Sequence, residues 1–210
     1  MEFINETSNS KVYRNGDKIC KYFKSNRAFY TEIRSYNAIK QHDIRNIINF
    51  IKIHEDMKMI EMNYYPYNLE DYFQSCYNFQ MNKQQIYKIL FELTLSLNEL
   101  HYNNIVHGDF KAKNIMLDIN LNPIIIDFDL SEIETKESDI KKFHYLIYQL
   151  LYNVPYTPKL YNNYKKMMIT LENDYPFIAE AMKKNNLIEL STLFNDHHLP
   201  RDTSRPPQII

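Results

Sequence analysis

Two short stretches, Val106-His107-Gly108-Asp109-Phe110-Lys111-Ala112-Lys113-Asn114 and Ile125-Ile126-Asp127-Phe128-Asp129, hold most of the residues of this chain that could do chemistry. The first offers a carboxylate (Asp109), an amine (Lys111) and an amide (Asn114) in one loop. The second delivers another carboxylate, Asp127, from the apolar run Pro123-Ile124-Ile125-Ile126. Amide and carboxylate oxygens suit a hard divalent cation, and a carboxylate beside them can serve as a base. Together they fit the alignment of a hydroxyl with metal-bridged phosphates. Asn114 lies five residues after Asp109, and Asp127 eighteen. Each has a plainer explanation alone: a capping Asp, a solvated Lys, a turn residue closing a strand. Two such stretches in register weigh more than either.

The elements that must position these loops are legible on both sides. Asn15-Gly16, between Lys11-Val12-Tyr13-Arg14 and Asp17-Lys18-Ile19-Cys20-Lys21-Tyr22-Phe23, predicts a hairpin with a type I′ turn. Ile33, Tyr36 and Ile39 predict a helix over 29–40, and residues 49–54 and 57–62 a strand pair turning at Glu55-Asp56. Ile86, Leu90, Leu93, Leu97 and Leu100 fall on one face of a long helix ending just before the first loop, and Ile140, Phe143, Ile147 and Leu150 form another that starts near Asp139. Further helices are expected over 162–172 and 176–184, and an extended tail at Pro206-Pro207. The whole is α+β, with sheet first and helices after.

Composition narrows the classes. The 210 residues carry a net charge of −1 with both signs interspersed, so no basic stripe speaks for nucleic acid. No apolar run approaches a membrane span, and the first residues have no secretory pattern. Cys20 and Cys76 show no ligand spacing and read as buried or half-buried thiols of a reducing, cytoplasmic compartment.

The first stretch resembles the protein-kinase catalytic loop H-R-D-x-K-x-x-N, and the second resembles the metal-binding D-F-G. The likeness runs over about residues 3 to 152. It implies a truncated two-lobed protein kinase-like fold, one domain over 1–210: an antiparallel-sheet N-lobe (1–62), a hinge (63–65) and a helical C-lobe (66–210). It implies Asp109 as catalytic base, Lys111 beside the transferred phosphoryl group, and Asn114 and Asp127 as ligands of Mg²⁺. Lys21 resembles the phosphate-gripping lysine of V-A-I-K, with Glu32 as its ion-pair partner and Glu61 and Glu6 as weaker alternatives. Val12, Met62 and Tyr64 are expected around the adenine of ATP. The implied activity is phosphoryl transfer to Ser or Thr of a protein substrate, the rivals being a sugar- or aminoglycoside-type phosphotransferase and a pseudokinase that binds without catalysis.

The departures from the family pattern are specific. With only Gly16 and Gly108 in the chain there is no glycine-rich loop; Asn5, Thr7 and Ser10 stand in its place, which predicts weakened ATP affinity. Gly108 replaces the Arg of H-R-D and Asp129 the Gly of D-F-G. Only twelve residues separate Asp127 from Asp139, so the segment that docks peptides is nearly absent. Constitutive activity, or an activating or docking partner protein, is the consequence. Asp139 itself resembles the Asp that braces the catalytic-loop backbone, a helix N-cap being the modest alternative.

Overall fold

The chain is described by a computed structural model covering residues 1–73, 81–155, 157 and 162–196. Five antiparallel strands come first: β1 (Glu2–Glu6), β2 (Ser10–Asn15), β3 (Lys18–Phe23), β4 (Phe50–His54) and β5 (Met59–Asn63), in the spatial order β1-β2-β3-β5-β4. Helix α1 (Asn26–Gln41) runs between β3 and β4, with Ser25 as its N-cap accepting from the Ala28 N–H. Its apolar side joins Phe23, Ile48, Ile60 and Met62 in a core against the sheet.

The first hairpin turns differently from the expectation. Asn15 pairs with Lys18 across the ladder, so Gly16-Asp17 form the two-residue loop, and of these only Gly16 has positive φ (+67°). Positive φ at the first central residue alone is the II′ pattern, which needs one glycine where I′ needs left-handed geometry at both places. The β4–β5 turn is likewise longer than expected: Lys58, at φ 47°, donates back to the Glu55 carbonyl and delays β5 to Met59.

After the sheet come β6 (Tyr67–Asn68), α2 (Leu69–Phe73) and α3 (Lys83–Tyr102), the last opened by a capping box between Asn82 and Gln85. A hairpin of β7 (Ile115–Leu117) and β8 (Pro123–Ile125) adds to β6, and α4 (Lys136–Tyr152) follows. Then come α5 (Tyr164–Asp174), α6 (Pro176–Lys183) and α7 (Leu187–Asn195). Leu171, Ile178, Met182, Leu190 and Phe194 are wholly buried with Leu90, Leu93 and Leu97 of α3, so the last three helices complete the core. Cys20 is buried in β3, and burial pushes its thiol pKa up; Cys76 and the Pro206-Pro207 tail lie outside the described residues. Among the described residues no helix is long and apolar enough to cross a membrane.

His144 of α4 makes this core pH-sensitive. It is buried, with Nδ1 at 2.7 Å from the Tyr164 hydroxyl and Nε2 buried without a hydrogen-bond partner among the described residues. Burial pushes its pKa down to about 4. An unfolded histidine takes a proton near pH 6.5, so stability is full above that and falls as the pH drops toward 4, by about 3 kcal/mol for this group. Urea unfolding from pH 7 to 4 is expected to lose this limb in His144→Phe. Parallel curves for the two proteins would rule the mechanism out.

Candidate active site

The β7–β8 hairpin brings the two chemistry-bearing stretches to one end. Ile115 pairs with Ile125, and beyond them the Ile126 N–H donates to the Asn114 carbonyl at 3.0 Å. His107, fully buried, ties them a second time: its Nδ1 accepts from the Asp109 N–H (3.1 Å) and its Nε2 donates to the Ile126 carbonyl (2.9 Å). Burial holds its pKa below the usual range, consistent with that neutral tautomer. Asp139 fixes the loop from beneath. The N-cap of α4 is Thr135, so Asp139 sits inside the helix, where its carboxylate accepts from the His107 N–H (2.7 Å), the Gly108 N–H (2.8 Å) and His101 Nε2 (3.1 Å). Burial opposes its ionisation, but these donors win and hold its pKa low.

Asp109 and its neighbours are mutually oriented. The Asn114 amide donates to the Asp109 carbonyl (2.9 Å) and to Oδ2 (3.0 Å), and Lys111 Nζ sits 2.6 Å from the same Oδ2. Lys142 of α4 approaches from the far side, donating to the Gly108 carbonyl at 2.5 Å and lying 3.9 Å from Asp109 Oδ1.

Lys21 emerges from β3 into a buried ion-pair network. Its Nζ meets Glu32 Oε2 of α1, and Asp127 Oδ1 at 2.6 Å. Glu61 pairs instead with His54 and Lys18, and Glu6 with Lys24 and Lys11, so neither is near Lys21. Burial opposes the Lys21 charge, but Asp127 and Glu32 more than compensate and raise its pKa. With one cation between two carboxylates, the proton affinities of the acids diverge. Burial pushes Glu32 up to about 7 despite Lys21, whereas Lys21 overcomes the burial of Asp127 and holds that carboxyl low. Asp127 stands at φ 71°, a left-handed geometry that Asp tolerates better than most residues. Among the described residues no three His, Cys, Asp or Glu side chains form a metal-binding group. A cation here would rely on Asn114 Oδ1, Asp127 and the oxygens of its ligand, a donor set that fits Mg²⁺.

On the sheet side, Val12 pairs with Lys21 across β2–β3, and Met62 is buried in β5 opposite Ile19. Tyr64 faces away toward the first hairpin: its N–H donates to the Asp17 carbonyl (3.0 Å) and its ring lies 3.9 Å from the Arg14 guanidinium. The loop without glycines needs no left-handed backbone, since Asn5, Thr7 and Ser10 all have negative φ. Thr7 Oγ1 instead accepts from the Asn9 and Ser10 N–H groups, and the Asn9 amide donates to Asp129 Oδ2 at 2.8 Å. Burial, with Asp127 nearby, raises the Asp129 pKa.

Gly108 is where the pattern departs and the structure explains it. It has φ +89°, and a Cβ there would lie 2.6 Å from the Leu130 carbonyl oxygen. Gly108→Ala is therefore expected to cost about 2–3 kcal/mol, and Gly108→Arg more, rather than restoring an arginine function. Thermal unfolding of the two variants tests this; wild-type melting in Gly108→Ala would show that the loop yields freely. The segment after Phe128 is also pinned on its other side. Glu132 accepts from Arg34 Nε (2.8 Å) and Thr31 Oγ1 (3.0 Å), and Ser131 and Ser35 hydroxyls meet at 2.5 Å, so three residues of α1 hold it.

Sequence reasoning did not single out His107, Lys142, Glu132 or the Asn9–Asp129 contact. Lys142 had a signal, lying one helical turn from Asp139 on α4. Glu132 and the Asn9–Asp129 contact depend on pairings distant in sequence, and His107 on the distant Ile126 as well as on Asp109 two residues on.

A family profile described as protein kinase domain matches residues 10–160. Among curated proteins the chain is 30% identical over 111 residues to a serine/threonine-protein kinase of Saccharomyces cerevisiae, covering 50% of this chain and 23% of that one. It is 34% identical over 108 residues to one of Schizosaccharomyces pombe, covering 51% and 19%. A PR5-like receptor kinase of Arabidopsis thaliana is 29% identical over 133 residues, covering 60% and 20%. The chain thus spans less than a quarter of the length of each of these three relatives.

Proposed function

We propose, from the premise that this chain belongs to the protein kinase domain family, that it transfers the γ-phosphoryl group of ATP to a serine or threonine hydroxyl of a protein. In this reading residues 1–62 are the small lobe, 63–65 the hinge and 66–210 the large lobe. The observation that carries it is the single network in which Lys21 from the sheet, Glu32 from α1 and Asp127 from the β8 end meet.

Lys21 would hold the phosphates, with Val12 and Met62 beside the adenine. Asn114 and Asp127 would hold Mg²⁺, which neutralises charge on phosphate oxygens when bound. Asp109 presents Oδ1 to the acceptor hydroxyl, because Asn114 and Lys111 hold Oδ2; accepting that proton's hydrogen bond orients the attack. Lys111 lies beside the base and offsets charge growing on the transferred group. The Glu132 contacts to α1 keep Glu32 facing Lys21 without phosphorylation, which supports constitutive activity in an intracellular setting. A partner that extends the docking surface is the expected complement to the short segment. That shortness also favours a second reading, transfer to a small-molecule hydroxyl.

Turnover of γ-labelled ATP with Mg²⁺ and protein acceptors tests the proposal. Label on protein, lost in Asp109→Asn and Asp127→Asn, is expected. Label on sugars but never on protein would favour the second reading, and no transfer to either would favour a binding module.

A further inference from the structure

Next to Asp109 on the α4 side is a cleft of about 250 Å³ lined by Glu70, Asp109, Lys111, Lys113, Lys142 and Gln149. Resting on the reading of Asp109 as the base of a protein kinase, we infer that this cleft takes the residues flanking the acceptor hydroxyl, and that it selects a serine or threonine set among acidic side chains.

Three lysines from two separate elements converge there, and their charges are unequally matched. Lys111 is spent on Asp109, at 2.6 Å. Lys113 reaches Glu70 only at 3.4 Å, with its side chain 65% exposed. Lys142 is fixed by a neutral group, the Gly108 carbonyl, and lies 3.9 Å from both Asp109 and Glu134, at the edge of ion pairing. Lys142 is thus a cation held in place with much of its charge left for a ligand, which removes the ordering cost a mobile surface lysine carries. Glu70, Asp109 and Glu134 are the acidic groups facing these lysines, and Asp109 is committed to the acceptor hydroxyl.

A second feature points to the same ligand chemistry. Gln149 of α4 is 3% exposed, and its Nε2 is buried without a hydrogen-bond partner among the described residues. A buried donor without an acceptor is costly, and because Gln149 lines the cleft, a small turn of its side chain would bring that donor to a carboxylate seated there. Arginine or lysine beside the acceptor would instead meet like charges at short range, a repulsion that sharpens the choice. The last three helices cannot supply the selectivity from their apolar faces, since those are buried in the core.

The test is kcat/KM for three peptides with the same central Ser and Thr, flanked by Asp and Glu, by Ala and Gly, or by Lys and Arg. The acidic peptide should exceed the neutral one about tenfold, and the basic one should be poorest, with the spread narrowing in salt. Lys113→Glu should reverse the order. Lys166→Glu, an exposed change of equal charge on α5, should keep it. Equal use of all three peptides would overturn the selectivity and leave the kinase reading standing. An order that Lys166→Glu shifts as far as Lys113→Glu does would trace the preference to net charge and overturn the cleft. Transfer to sugars with no peptide labelled would overturn both readings.

Discussion

Asp109→Asn is expected to slow phosphoryl transfer about 10³-fold while leaving the protein folded. The substitution is nearly isosteric, and the Asn oxygen can still accept from the Asn114 amide and Lys111, which now hold Asp109 Oδ2. What is lost is the second acceptor: an NH₂ replaces Oδ1, and it cannot receive a hydrogen bond from an attacking hydroxyl. ATP affinity should stay near the wild-type value, since Asp109 makes no contact with Lys21 or Asp127. Asp127→Asn should lose activity to a similar extent by a different route. Asn tolerates the φ of 71° that Asp127 adopts, so the backbone is kept, unlike in an Ala variant. The charge that would bind Mg²⁺ and that balances Lys21 disappears, so here the magnesium requirement should rise. Magnesium titrations of labelled-phosphate transfer separate the two. Either variant retaining more than about a tenth of wild-type activity would remove that carboxylate from the role given to it.

The first hairpin, the helix and strand pair after it, the long helix before the catalytic loop and the apolar run that delivers Asp127 were legible because each rests on local periodicity or on fixed spacing. Lys21 and Glu32 were legible only in combination. A strand lysine and a helix glutamate are ordinary residues until the fold places β3 against α1, and the structure then joins them while sending Glu61 to His54. The turn at Gly16 was misread by one residue because Asn-Gly signals a hairpin more strongly than it fixes the ladder register. The reason for Gly108 was not legible at all. Nothing in the loop sequence reveals that the Leu130 carbonyl, from a segment twenty-two residues later, fills the space where a side chain would go. The same holds for Glu132. In sequence it is one acidic residue among several, and only its place against Thr31 and Arg34 makes it a support for α1.

Lys21→Met should destabilise the protein by about 3–5 kcal/mol at neutral pH, and Lys21→Met/Glu32→Met should recover most of that without recovering activity. Lys21 is 5% and Glu32 1% exposed, so the single change strips the shared counter-charge from two acids: Asp127, whose side chain is 29% exposed, keeps contact with water, whereas Glu32 is left alone in the interior. Glu32 Oε1 already lacks a hydrogen-bond partner among the described residues, so even the native pair is incompletely satisfied. Met at both positions replaces two desolvated charges with apolar side chains of similar length beside Phe29 and Ile60, a buried neighbourhood suited to them. The pH dependence follows from the direction of the Glu32 shift. Burial pushes its pKa up to about 7 even with Lys21 present, and losing Lys21 pushes it further. A raised folded-state pKa lends stability that is complete below the unfolded value, near 4.5, and is lost as the pH rises through the folded one. The deficit of the single variant should therefore shrink toward pH 5 and grow above pH 7, in urea unfolding series. A single variant less than about 1 kcal/mol below wild type, or a double variant no better than the single, would mean that the pair is effectively solvated. If instead the double variant is stable and inert, the fold does not need the ion pair. A desolvated Lys–Glu pair that contributes nothing to stability would then be accounted for by the role proposed for Lys21, holding the phosphates of a nucleotide.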